Sequence, residues 1–171
     1  VSVTAPGFSR SFPPEAFRDR PLERAARTVQ DDLVVMRKGP GGWRLAAAVV
    51  CFPSSWSLPD MFGLPLAAIH AGVPGFSGRM AERVERIFDN LKPGAPAERF
   101  NWAIHPDGRL RHHRSKAAEG YRTERRALAA REAFVRVERQ TLRRLPESGD
   151  ILFTIRVLVE PVAALSRHPD G

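Results

Sequence analysis

One histidine stands in an unusually constrained place. His70 closes the apolar run "PLAAI" and is followed at once by "AGVPG", so Pro65 fixes the chain before it and Pro74-Gly75 turn the chain after it. A neutral imidazole held in this way is a suitable metal ligand, axial ligation of haem iron included. A lone histidine after an apolar run is also commonly a packed or surface side chain, and spacing alone leaves both readings open. Two arginines add to the candidates. At a strand period of two, Ala133, Val135, Val137 and Arg139 share one face, and Leu152, Thr154, Arg156 and Leu158 share another. An arginine on an apolar face cannot shed its charge, so Arg139 and Arg156 each need an anionic partner. That partner is Glu138 or Glu160 in a structural ion pair, or else a carboxylate of a bound cofactor or substrate.

The remaining candidates are weaker. His105 falls in the turn "HPDG", while His112 and His113 are adjacent, point to opposite sides in any strand, and read as solvated; His168 lies near the last residue. Cys51, inside an apolar strand run, reads as an inert buried thiol. "GPGGW" is a hairpin turn and not a dinucleotide fingerprint, because no helix follows it. There is no nucleophile elbow.

The elements that must position these residues follow from periodicity and punctuation. Residues 1–20, rich in proline and phenylalanine, read as an extended arm, and residues 21–171 as a single domain. Pro21 opens a helix whose stripe is Leu22, Ala25, Ala26, Val29 and Leu33. Two apolar runs around Gly39-Pro40-Gly41-Gly42 predict a hairpin, its second strand, Trp43 to Phe52, central and covered on both faces. Pro53 to Gly75 reads as a crossing loop with short helical turns, followed by a helix capped by Ser77 with Met80, Val84, Ile87 and Phe88 inward. "RFNWAI" is a strand, and "AFVRVERQTL" and "DILFTIRVLV" are a strand pair turned by "PESGD". The order predicts an α+β fold: a PAS-like antiparallel sheet with a helical crossing segment over one face, where cofactors of such domains bind.

Composition sets the class of partner. The chain has 171 residues, 43% hydrophobic, enough for one domain with a true core. No apolar run reaches the ~20 residues of a membrane-spanning helix, and "VSVTAPGFSRSFPPEAF" lacks the apolar segment of a cleavable signal. One cysteine excludes an internal disulfide and fits a reducing cytoplasm. The net charge of +8, mostly arginine, suits an anionic partner. Nucleic acid is disfavoured, because the basic stretch "RLRHHRSK" is not interleaved with aromatics.

"VVCFPSSWSLPDMFGLPLAAIHAGVPG", "RFNWAI", "VRVERQTLRRLPESG" and "LFTIRVLVEPVAAL" together resemble the haem-dependent oxidative N-demethylase alpha-subunit-like family, which includes dimethylamine monooxygenase haem subunits; the likeness runs from about Val29 to Leu165. The resemblance implies a PAS-like domain binding haem b, and oxidative removal of a methyl group from a small secondary amine with oxygen, releasing formaldehyde. It implies electrons from NADPH through FMN and an iron–sulfur centre on a separate reductase subunit. Carried onto this chain, it makes His70 the axial ligand, places Arg139 and Arg156 in the haem or substrate pocket, and adds Glu138 as a further catalytic candidate. Arg111 to Arg131 is more basic than the family pattern, and the helical portions usual at either end are short or missing here. A non-catalytic haem or small-ligand sensor or carrier on the same fold is the alternative.

Overall fold

The computed structural model describes residues 2–5, 8–11, 13, 15–73, 75–76, 78–112 and 132–167, with residues 2–5, 8–10 and 166 described by backbone alone. His113 and His168, the cap Ser77 and most of the basic stretch after Arg111 lie outside the described residues. Within residues 1–20, β1 (Ser2–Ala5) and β2 (Phe8–Ser11) form a small antiparallel hairpin where an extended arm was expected. Then come α1 (Pro21–Ala26), β3 (Asp31–Gly39), β4 (Gly42–Val49), α2 (Leu58–Met61), α3 (Leu66–Ile69), α4 (Arg79–Asn90), β5 (Ala97–His105), β6 (Phe134–Arg144) and β7 (Ile151–Pro161).

Strands β3 to β7 make one antiparallel sheet in the order β4-β3-β7-β6-β5. The expected succession is therefore present: a hairpin, a crossing segment with short helices, a helix, then three more strands. The β3–β4 turn is the expected Pro40-Gly41, with Gly42 at φ 89 just beyond it, a left-handed value that glycine accepts without strain.

Three expectations change. The first helix stops at Ala26, so Val29 is exposed and Leu33 belongs to β3. Strand β4 is an edge of the sheet and not its centre, and it ends at Val49. Its apolar run reflects cover from the crossing segment: Leu45 N–H donates to Leu64 O, Gly63 N–H donates to Leu45 O, and Arg44 bridges to Pro65. Those bonds close an otherwise open row of backbone groups. In α4, Val84 and Phe88 turn inward, with Leu91 just past the helix end, whereas Met80 and Ile87 are 46% and 45% exposed. Positions 84, 88 and 91 form a narrower stripe than expected.

The core sits on one face of the sheet. Val34 and Met36 of β3, Trp43 and Leu45 of β4, Leu142 of β6 and Ile151 of β7 meet Leu66 of α3 and Phe88 and Leu91 of the α4 end. Burying each large side chain contributes about 1.5–3 kcal/mol. Arg144 of β6 locks α4 in place by donating to Leu91 O at 2.6 Å and Phe88 O at 2.8 Å, satisfying carbonyls left open at the helix end. Asp89 accepts from the Trp43 indole at 2.9 Å, and the Lys38 ammonium beside it holds its carboxyl below the usual range.

Candidate functional site on the covered sheet face

His70 is placed by three local causes. Pro65 is extended, at φ −69 and ψ 154, and starts the single turn of α3. Leu66 is buried in the core and Ile69 packs against it, so the turn cannot rotate. Gly75, at φ 79, then reverses the chain and brings Phe76 back over the histidine, their rings stacked at 4.1 Å and 19°. The imidazole Nδ1 lies 2.8 Å from Leu66 O. A carbonyl oxygen only accepts, so Nδ1 carries the hydrogen and Nε2 keeps its lone pair. Burial pushes the ring's pKa below its ordinary value; the Leu66 bond opposes that shift and the Arg99 charge adds to it. The ring is therefore neutral at neutral pH, with one nitrogen oriented by a backbone carbonyl, as metal-ligating histidines commonly are.

The sheet face under this segment carries a connected polar row. Arg136 is 1% exposed; it donates to Phe52 O at 2.6 Å, to Leu110 O at 2.7 Å, and through Nε to Glu138 Oε1 at 3.3 Å. Glu138 accepts at its other oxygen from Gln140 Nε2 at 3.0 Å, and Gln140 Oε1 accepts from Arg99 Nε at 2.7 Å. Arg136, Glu138 and Gln140 alternate along β6 with Leu142, which fixes the whole row on the core side, and Arg99 is the cross-strand partner of Gln140. Asp32 lies near this row and accepts from the backbone N–H groups of Cys51 and Phe52; burial pushes its carboxyl pKa up despite those bonds.

Of the residues expected from sequence, His70 and Glu138 fall on this covered side. Arg139 and Arg156 do not: they are cross-strand neighbours on the opposite face. Each has a carboxylate partner that differs from those expected. Arg139 pairs with Glu98 of β5 at 2.7 Å and Arg156 with Asp31 of β3 at 3.5 Å, in place of Glu138 and Glu160. Strand order decides this, since β5 and β3 flank the β6–β7 pair. The same outer face exposes Phe100 and Trp102 at 63% and 69%, together with Ile104 and Leu158.

Other features were read differently from sequence. His105 ends β5 rather than lying in the turn, and is buried, and its ring lies 4.5 Å from that of His112, which is half-buried rather than solvated. His112 joins two loops: its N–H donates to Pro53 O and its carbonyl accepts from Ser55 N–H. Its Nε2 is 3.5 Å from Asp107 Oδ1. Cys51 is exposed in a bend after β4 rather than buried in the strand, although burial of its sulfur and the Asp32 charge raise its thiol pKa, which keeps it a thiol. The buried Arg136, Gln140 and Asp32 were not singled out; polar residues alternating with Leu142 in β6 were the available signal. Among the described residues no three His, Cys, Asp or Glu side chains cluster to hold a metal ion, and no helix is long and apolar enough to cross a membrane.

Fold and site together define an α+β domain in which one oriented, neutral imidazole belongs to a segment packed on the same side of the sheet as a charged and amide-bearing row. The family described as haem-dependent oxidative N-demethylase, alpha subunit-like, matches residues 2–171, the length of the chain but for its first residue. The chain belongs to that family, and the match extends the resemblance seen from Val29 to Leu165 in both directions.

Proposed function

We propose that this chain is the haem-binding, PAS-type subunit of an oxidative N-demethylase that removes a methyl group from a small secondary amine and yields formaldehyde. The observation that carries the reading is the 2.8 Å contact of His70 Nδ1 with Leu66 O, which a neutral ring makes only as an Nδ1–H donor, so that Nε2 presents a lone pair. The donor set fits a haem. A porphyrin iron would need only one protein nitrogen, so a single oriented histidine, His70, would suffice to hold it where a protein-only metal site would need several ligands.

When bound, haem supplies the iron centre at which oxygen is activated. The chain's own residues hold and tune it. Phe76, stacked on His70, limits rotation of the imidazole and keeps water from its face. Glu138, with a side chain 13% exposed, has one oxygen held by Arg136 and the other by Gln140. Each oxygen retains a lone pair able to accept the N–H of a secondary amine and orient it. Electrons are supplied by a reductase subunit bearing FMN, an iron–sulfur centre and an NADPH site, and the chain's positive charge favours docking of an acidic carrier. Oxygen is the oxidant, and the cytoplasm is the compartment in which such a reductase and a free cysteine both belong.

An absorption spectrum of the purified chain reconstituted with haem tests this. A Soret band is expected, displaced or lost in His70→Ala and restored by added imidazole. Reconstituted with its reductase, the chain should consume oxygen and release formaldehyde only when a secondary amine is present. A spectrum identical in His70→Ala would remove His70 as the ligand. Haem binding without amine-dependent oxygen uptake would favour the sensor or carrier reading.

A further inference from the structure

We infer that Arg99 is the carboxylate anchor of this site and holds a haem propionate; the inference rests on the haem reading above. Arg99 stands on the same sheet face as His70's covering segment. It is two residues from Ala97, which packs against the core together with Ile69 and Phe76, the residues on either side of His70 in the crossing segment. Arg139 and Arg156, the arginines that the sequence offered for this role, are on the other face and already ion-paired.

Among the described residues, the guanidinium of Arg99 is oriented from one edge only. Its Nε donates to Gln140 Oε1 at 2.7 Å, and Gln140 is itself buried and tied through Glu138 to Arg136. A rigid relay thus fixes the plane of the guanidinium while leaving the terminal nitrogens for a second acceptor. The other arginines of this face are otherwise engaged: Arg136 has Glu138, and Arg144 is spent on the carbonyls of α4. Among the described residues no carboxylate ion-pairs with Arg99. A guanidinium pairs a carboxylate through two parallel N–H bonds. Arg99 is also exposed, which suits the edge of a porphyrin where the propionates meet water.

The test is an equilibrium titration of the apo chain with haem and, separately, with haem dimethyl ester, which lacks free carboxylates, read at the Soret band. Wild-type chain should bind haem about 10–100-fold more tightly than Arg99→Met, the scale of a charge-assisted hydrogen bond or two. Arg99→Lys should recover part of that difference. With the dimethyl ester, wild type and Arg99→Met should bind alike. Equal haem affinity in wild type and Arg99→Met overturns the assignment while leaving His70 and the haem reading intact. A difference that persists undiminished with the ester also overturns it, because the effect is then structural. No Soret band in wild type overturns both.

Discussion

Replacing Arg136 with methionine tests whether the polar row of β6 is a fixed platform. The side chain is almost wholly buried and holds three separate pieces of chain: β6 itself, the bend at Phe52 and the loop at Leu110. Methionine replaces most of the stem, so the loss is in polar contacts more than in volume. Bonds from a charged donor contribute roughly 1.5–3 kcal/mol each, and two short ones, to Phe52 O and Leu110 O, are removed together. Glu138 is left with Gln140 alone, and removing one member of a buried ion pair typically costs about 3–5 kcal/mol. The two routes overlap and agree on a loss of about 3–5 kcal/mol. That is a large share of the ~5–15 kcal/mol that stabilises a domain. At roughly 2–4 °C per kcal/mol for a chain of this size, Tm should fall by about 6–20 °C. Urea unfolding followed by tryptophan fluorescence gives the free energy. Native-state hydrogen exchange gives the location, with the amides of Cys51, Phe52, Ser55 and His112, all hydrogen-bonded in these loops, losing protection first. A destabilisation below about 1 kcal/mol, within the range of ordinary surface substitutions, would show that Arg136 does not tie these loops to the sheet.

Other consequences follow from the same geometry. Because burial lowers the pKa of His70, the unfolded chain takes up a proton below about pH 6.5 while the native ring resists it. The stability associated with His70 is complete above that pH and is lost as pH falls through the lowered native value, so His70→Leu should flatten the acid limb of the stability–pH curve; an unchanged limb would contradict the buried placement. Arg139→Ala and Arg156→Ala should keep the Soret band at wild-type haem affinity and cost at most about 1 kcal/mol, as half-exposed ion pairs on the outer face; loss of haem in either would contradict the face assignment. Arg37 holds Asp150 below the ordinary carboxylate range, so Asp150→Asn should destabilise at neutral pH, and the difference from wild type should close as pH falls below 3.8 through the native value. Stopped-flow reduction by the proposed reductase should slow as salt rises if the +8 charge steers docking, and a flat profile would argue against it.

How far the sequence reached depends on which kind of physical rule each feature obeys. The hairpin at Pro40-Gly41, the crossing loop and the β6–β7 pair were legible because turn chemistry and apolar runs are local. The position of β4 was not. Its apolar run is also what a central strand would show, and only the docking of Leu64 and Gly63 against its edge makes the run consistent with an edge strand. The same limit governs the site. Period two correctly grouped Arg139 with Val135 and Val137, and Arg156 with Thr154 and Leu158, but periodicity does not say which face of a strand is covered. In β6 the answer is carried by Leu142 and by three polar residues, Arg136, Glu138 and Gln140, whose burial depends on mutual hydrogen bonds across β5, β6 and the Phe52 bend. On a hydropathy pattern these positions look like the solvent face, and the outer valines look like the core. Sequence therefore reads the apolar face as the covered one, whereas the core packs on the face that carries Arg136, Glu138, Gln140 and Leu142. The local setting of His70 was legible because proline, glycine and a one-turn helix fix it without reference to the strand order. The arginine that shares its side of the sheet, Arg99, became visible only when β5 was paired with β6 in register, Arg99 against Gln140.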